Sequence, residues 1–194
     1  NPVPSTTRQL HGGWFDAGDY NKYVNFAYEP IHDLCLAYIE RPEIWTDDYN
    51  IPESGNGIPD LLDEVKREMD WLLRMQEANG SVLMKVSVTD FSAASPPSAD
   101  TGFRRYGPAQ ASATRTAASM YAVGALAYNL TGNPAMQLYA DTLEQAAVDA
   151  WNWLIANPAY SSYNNAGFAS ANPEIDSYQQ SSAQVDAAIL LFAL

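Results

Sequence analysis

Apolar residues recur at helical spacing in five separate stretches of this 194-residue chain, and proline or glycine interrupts the chain between most of them. The first covers residues 30–39, with Ile31, Leu34, Cys35, Tyr38 and Ile39 on one side, Pro30 suited to a first turn and Pro42 limiting continuation. The second starts at Pro59, aligns Leu61, Leu62, Val65, Met69, Leu72 and Leu73, and is expected to stop near Gly80. Its other side carries Asp63, Glu64, Lys66, Arg67 and Glu68, the composition of a solvated face. The third, residues 113–130, is so rich in alanine and so poor in charge that it must pack closely on more than one side. Asn133-Pro134 reads as cap and first-turn proline of a fourth helix that reaches Trp153 or Ala156, before Pro158. A fifth is expected to open at Ser181, where Ser181 and Gln184 have capping-box spacing. Its pattern reaches Leu194 with no closing Gly, Asn or basic residue, so the polypeptide is expected to be part of something longer, cut within a helix.

Successive helices joined by loops of varied length predict an all-α architecture in which helical hairpins pack side by side. Val82, Met84, Val86 and Val88 alternate, which adds a short strand or hairpin after the second helix. Residues 40–58 and 90–110 are Pro/Gly-bearing loops, and the second is long enough to be expected to line a site. Ten Lys+Arg against twenty-three Asp+Glu give a net charge of −13, which argues against a nucleic-acid partner. No apolar run approaches the length of a membrane span, and an export signal is expected outside this stretch of sequence. Cys35 is the sole cysteine, so no intrachain disulfide exists. A zinc site would need Cys35, His11, His32 and a carboxylate, whereas a thiol on an apolar helical stripe is ordinarily buried.

The segment Gly12-Gly13-Trp14-Phe15-Asp16-Ala17-Gly18-Asp19-Tyr20 concentrates the chemistry. Only Ala17 and Gly18 separate Asp16 from Asp19, so both carboxylates can face one small volume, with Gly18 expected to permit the bend. Like charges that close resist joint ionisation, and such a pair can hold a water and remove its proton. The same spacing also suits an Asx-turn or helix cap with both aspartates solvated, and spacing alone leaves both readings open. An EF-hand reading fails, because the third, sixth and twelfth positions from Asp16 are Gly18, Asn21 and Ala27.

This motif, continuing into Lys22-Tyr23-Val24, resembles the opening signature of glycoside hydrolase family 9, the inverting cellulases. The run Ile51-Pro52-Glu53-Ser54-Gly55-Asn56-Gly57-Ile58-Pro59-Asp60-Leu61-Leu62-Asp63-Glu64 and the later Trp71-Leu72-Leu73-Arg74-Met75-Gln76 match it in the expected order. Weaker likeness from Arg105-Tyr106 to Ala118 and from Val185 to Leu194 extends it over nearly the whole chain. The resemblance implies an (α/α)6 barrel, of which residues 1–194 are the first part, and hydrolysis of β-1,4-glucosidic bonds in cellulose or related glucans with inversion. It implies Asp19 as general base, Asp16 as the residue that positions the attacking water, and a general-acid glutamate beyond this chain, so that the fragment alone is expected to be inactive. It also implies a secreted protein whose partners are the glucan, the rest of its catalytic domain, and immunoglobulin-like or carbohydrate-binding modules. No cofactor is required for catalysis and no catalytic metal is expected.

The chain departs from the family pattern in places. Met84 stands where many relatives have a substrate-contacting His. Ser182-Ala183 replaces an acidic pair that can ligate structural calcium, and Asp186 replaces a common Trp. Trp14, Trp45, Tyr106, Tyr160, Tyr163 and Tyr178 lie in loop or loop-edge segments where rings can stack on glucose. Tyr178 is the substrate-binding candidate, because the family places a tyrosine near the cleft shortly before this helix. Trp151 and Trp153 are expected to pack, and Glu53 and Asp60 to be structural. Two other functions fit the same fold: a glycan-binding helical scaffold without catalysis, and an exo-acting glucosaminidase.

Overall fold

The computed structural model describes residues 6–89, 94–161 and 175–194. In chain order these form β1 (Lys22–Tyr23), α1 (Tyr28–Glu40), α2 (Asp60–Met75), β2 (Lys85–Ser87), β3 (Arg105–Tyr106), α3 (Ala111–Asn129), α4 (Pro134–Ala156) and α5 (Ser177–Ala193). Single 3-10 turns lie at Asn25–Ala27, Pro42–Ile44 and Pro97–Ala99.

The alanine-rich segment becomes the axis of the packing. Every residue of α3 except Leu126 and Asn129 is buried, with α4, α5 and α1 against it. Small side chains let three backbones approach one helix at once. Gly124 marks the tightest point, because a Cβ there would lie 2.8 Å from Met69 Cε of α2 and 3.1 Å from Leu143 Cδ1 of α4. Two tyrosines of α3 cross to α2: Tyr121 Oη donates to Leu72 O at 2.6 Å, and Tyr128 Oη to Leu62 O at 2.8 Å. Arg115, fully buried, ties α3 to α5 through Gln184 Oε1 at 2.9 Å and Gln180 Oε1 at 3.2 Å, and donates to Pro158 O at 3.0 Å.

Side-chain caps start two of the helices, α4 and α5. Asn133 Oδ1 accepts from Ala135 N at 2.9 Å and starts α4 as expected. Helix α5 begins four residues earlier than Ser181. Asp176 is its cap, accepting from Gln179 N while Asp176 N donates to Gln179 Oε1. Ser181 then lies within the helix, its hydroxyl donating to Ser177 O at 2.8 Å. Helix α1 likewise begins before Pro30, at Tyr28; a proline is tolerated there because first-turn N–H groups have no helical partner. Helix α2 ends at Met75, short of Gly80, because Gln76 already bridges to Val82 and a turn closes between Glu77 and Ser81.

The strands form one antiparallel sheet in the order β1-β2-β3, with Lys22 opposite Val86, Tyr23 opposite Lys85, and Val86 opposite Tyr106. The alternation in residues 82–88 predicted the strand but not its environment. Every residue from Ser81 to Val88 is buried, so both faces of β2 are covered.

Gly80 adopts φ +91°, and a Cβ there would lie 2.2 Å from Asp149 O of α4. Gly80→Ala is therefore expected to destabilise the fold by at least about 1–3 kcal/mol from backbone strain alone, read as a lower midpoint in urea denaturation.

Candidate active site

The loop bearing Asp16 and Asp19 is held from two sides. On one side lies α2. Gly12 and Gly13 have φ of +88° and +74°, and a Cβ on Gly13 would lie 2.7 Å from Trp71 Cγ, so only glycine brings the chain this close to α2. Next along, Trp14 N donates to Glu68 Oε2 at 2.5 Å and Trp14 Nε1 to Glu64 Oε1 at 2.6 Å. Lys22 Nζ donates back to Gly12 O, closing the loop on itself.

The other support is the end of β2. Asn21 N and Nδ2 donate to Asp19 Oδ1 and Oδ2 at 3.1 and 2.9 Å, and Asn21 Oδ1 accepts from Ser87 Oγ and Val88 N. The bond from Asn21 N to Asp19 is the Asx-turn geometry that the spacing also allowed, so the turn and the paired acids occur together. Gly18 does not make the bend. The positive φ falls on Tyr20, at 60°, whose hydroxyl donates to Ala94 O at 2.9 Å. A Cβ on Gly18 would meet nothing within 4 Å, so the space beside the acids stays open.

Burial, then the charge of Asp19, pushes the Asp16 carboxyl above the ordinary range. Asp16 as a whole is exposed, its carboxyl only partly shielded by the loop, and Asp19 is half-buried. Asp16 lines a cavity of 130 Å³ with Trp14, Tyr23, Phe26 and Glu68. Phe26 also borders a larger cavity of 420 Å³, lined by Asn25, Tyr28, Thr116, Tyr178 and Ser182 among others. Tyr178 lines this second cavity from the first turn of α5, with 80 % of its surface exposed.

The remaining aromatic candidates divide. The Trp45 indole donates to Ala37 O and Tyr106 Oη to Thr6 O, both structural bonds. Tyr160 packs under Arg115, 4.5 Å from its centroid, with its hydroxyl 2.7 Å from Ser181 Oγ. Trp151 and Trp153 pack against Ala118, Ala150, Leu154 and Ala187, as expected. Tyr163 lies outside the described residues. Met84 is buried against Gly107 and offers nothing to solvent. Asp186 accepts from Tyr28 Oη, joining α5 to α1, while His32 of α1 lies 2.9 Å from Ser119 Oγ of α3.

Glu68 and Asp63 correct the expected solvated face of α2, since both are buried. The signal for Glu68 was present: 61, 65, 68 and 72 form one helical row, and three of its members are apolar. Asp63 instead accepts from Asn56 Nδ2 at 3.0 Å. With Asp47 and Asp60 it forms a group whose carboxylate oxygens lie within 4.8 Å of one another. Asp60 Oδ2 accepts from Tyr49 N and Ser54 Oγ, but its buried Oδ1 has no partner. Cys35 has no such role: it is wholly buried, and burial pushes its thiol up to about 12.

The profile of Glycosyl hydrolase family 9 matches residues 3–193. This chain belongs to glycosyl hydrolase family 9. Endoglucanase D of Acetivibrio thermocellus is 36 % identical over 167 residues, which are 84 % of this chain and 26 % of that protein. The xyloglucan-specific endo-beta-1,4-glucanase of Bacteroides ovatus is 46 % identical over 86 residues, 41 % of this chain and 14 % of that protein. The crystal structure of a metagenome-derived family 9 endoglucanase superposes with a TM-score of 0.83 at 31 % identity, covering 96 % of this chain and 33 % of that one. The chain therefore spans about a quarter of Endoglucanase D and a third of the metagenome-derived enzyme, and its helices form part of the family's (α/α)6 barrel.

Burial also pushes the Glu68 carboxyl up to about 7. Its folded value exceeds its unfolded one, so the folded state binds the extra proton and stability falls as pH rises from about 4.5 to 7. Glu68→Gln keeps an acceptor for Trp14 N without the charge. Urea denaturation is expected to show that this variant flattens the loss across that window, a difference on the order of 2 kcal/mol.

Proposed function

We propose that the protein hydrolyses β-1,4-glucosidic bonds of cellulose or a related β-glucan with inversion of configuration. The observation that carries this reading is the pair of aspartates on one doubly braced loop, with Asp16 lining a cavity that shares Phe26 with a second one lined by Tyr178. Asp19 is the general base that takes a proton from the attacking water. Asp16 holds that water as a neighbouring acceptor, while Asp19 remains tied to Asn21. Inversion needs the base and a general acid about 6.5–9.5 Å apart across the glycosidic bond. In this reading the acid is a glutamate outside this chain, and the rest of the catalytic domain completes the site. Tyr178 offers an exposed ring to the apolar face of a glucose unit.

An insoluble polymer cannot enter a cell, so this substrate goes with secretion, and no helix among the described residues is long and apolar enough to cross a membrane. Accessory immunoglobulin-like or carbohydrate-binding modules are the expected covalent partners. Xyloglucan is the named substrate of one relative, so a decorated glucan belongs in the substrate panel, with chitosan oligomers to expose a glucosaminidase. In the full-length protein, Asp19→Asn is expected to lower kcat on cello-oligosaccharides by about 10²–10⁴-fold or more with folding intact, and Asp16→Asn by less. Proton NMR of the first product is expected to show the α-anomer. Wild-type turnover in Asp19→Asn, or a β-anomer first, contradicts the reading.

Structural calcium does not fit the acidic-pair positions of α5, where Ser182 and Ala183 supply no carboxylate. It fits Asp47, Asp60 and Asp63, a set of hard oxygen ligands that includes one buried oxygen otherwise unpaired. Calcium there would fasten the 47–60 loop to α2 and take no part in bond cleavage. Addition of calcium to chelator-treated protein is expected to raise its melting temperature, and Asp60→Asn to remove that response.

A further inference from the structure

Both oxygens of the Asp19 carboxylate are held by a single residue. Asn21 N donates to Oδ1 at 3.1 Å and Asn21 Nδ2 to Oδ2 at 2.9 Å, and the Asn21 side chain is completely buried. The direction of its amide is dictated from elsewhere. Asn21 Oδ1 receives Ser87 Oγ at 2.7 Å and Val88 N at 2.9 Å, both where β2 ends. A flipped amide would turn its NH₂ toward the Val88 N–H and its oxygen toward a carboxylate, two like-with-like contacts in a buried place. The end of β2 thus decides that a donor faces Asp19.

We propose that Asn21, locked by Ser87 and Val88, is a positioning residue for the catalytic base; this rests on the reading of Asp19 as that base. The two bonds fix the plane of the carboxylate and occupy one acceptor direction on each oxygen, leaving the others for water. Among the described residues three charged groups on or near this loop bear on the site. Asp16 shares the loop and feels the charge of Asp19. Lys22 is turned to Gly12 O, and Arg104 lies 5.9 Å from the Tyr20 ring centroid while paired with Asp100 at 2.7 Å. The bonds that hold the Asp19 carboxylate thus come from a neutral amide, not from a cation.

A residue that merely closed the turn into β1 would affect stability alone. Asn21→Asp separates the two roles, because it keeps the shape and the acceptor for Ser87 and Val88 but turns the donor facing Asp19 into an oxygen. In the full-length protein, the acidic limb of kcat/KM against pH on cello-oligosaccharides is expected to move up by about one unit, read as about a tenfold loss on the acid side. KM is expected to stay within about twofold of wild type. Ser87→Ala, which removes one of the two locking donors, is expected to move the limb the same way by less, and it carries the test should Asn21→Asp fail to fold. Profiles that superimpose on wild type overturn the proposal, whatever happens to the melting temperature. Asp19→Asn, run in parallel, tells the failures apart. If it remains active, the base assignment is wrong; if it is dead while the profiles of both other variants are unmoved, only the positioning role is wrong.

Discussion

Helix α3 can be approached from nearly every side because it carries almost nothing that needs water. Its alanines and Gly124 remove the bulk that would hold neighbouring helices apart, so burial of its surface is shared among α1, α2, α4 and α5. Most of the polar groups it buries bond to other elements, although Ser112 Oγ is buried without a partner. Tyr121 and Tyr128 seal carbonyls of α2, Thr114 Oγ1 accepts from Val82 N ahead of β2, and Thr116 donates to Asn25 just after β1. A buried hydroxyl without such a partner would cost about 1–3 kcal/mol, so these bonds fix the register of the surrounding pieces as well as satisfying the hydroxyls.

The geometry of the site follows from that arrangement. The loop of Asp16 and Asp19 hangs between α2 and β2, and both supports are rooted in α3, one through the two tyrosines and the other through Thr114. Glu68 and Glu64 grip Trp14 from α2, while Ser87 and Val88 grip Asn21 from the sheet. A loop anchored at one end would swing. Anchored at both, it can present two carboxylates to open space without their own contacts having to stiffen it.

Helical periodicity made four of the five helices legible to within a few residues, because an apolar stripe is a repeated signal and Asn133-Pro134 an unambiguous start. The start of α5 was less so: Ser181 and Asp176 both precede residues of capping-box type three positions on, and only the packed structure chooses between them. The paired acids were visible as a motif, but their supports were not. Glu68 looked like one charge among several on a polar face, and its place in the row of Leu61, Val65 and Leu72 gains meaning only once Trp14 is seen to need an acceptor there. Asn21 carried no signal in itself, because its partners Ser87 and Val88 lie more than sixty residues away in sequence. Gly18 shows the opposite error, a plausible bend residue whose work is done by Tyr20.

With ten cations for twenty-three acids, this chain cannot neutralise its carboxylates by pairing. It satisfies many of them with neutral donors instead. Asp47 is held below the ordinary range by the amides of Gly57 and Gly55; Asp60 takes Tyr49 N and Ser54, Asp176 takes Gln179 N, Glu68 takes Trp14 N, and Asp19 takes Asn21. Four ion pairs join the described residues, and none involves Asp16 or Asp19. Short dipolar contacts of this kind are screened by salt far less than interactions between exposed charges. They also draw no anion to the site. The proposed glucan has no charge to be steered, so holding Asp19 by an amide in place of a cation would cost nothing in its recognition.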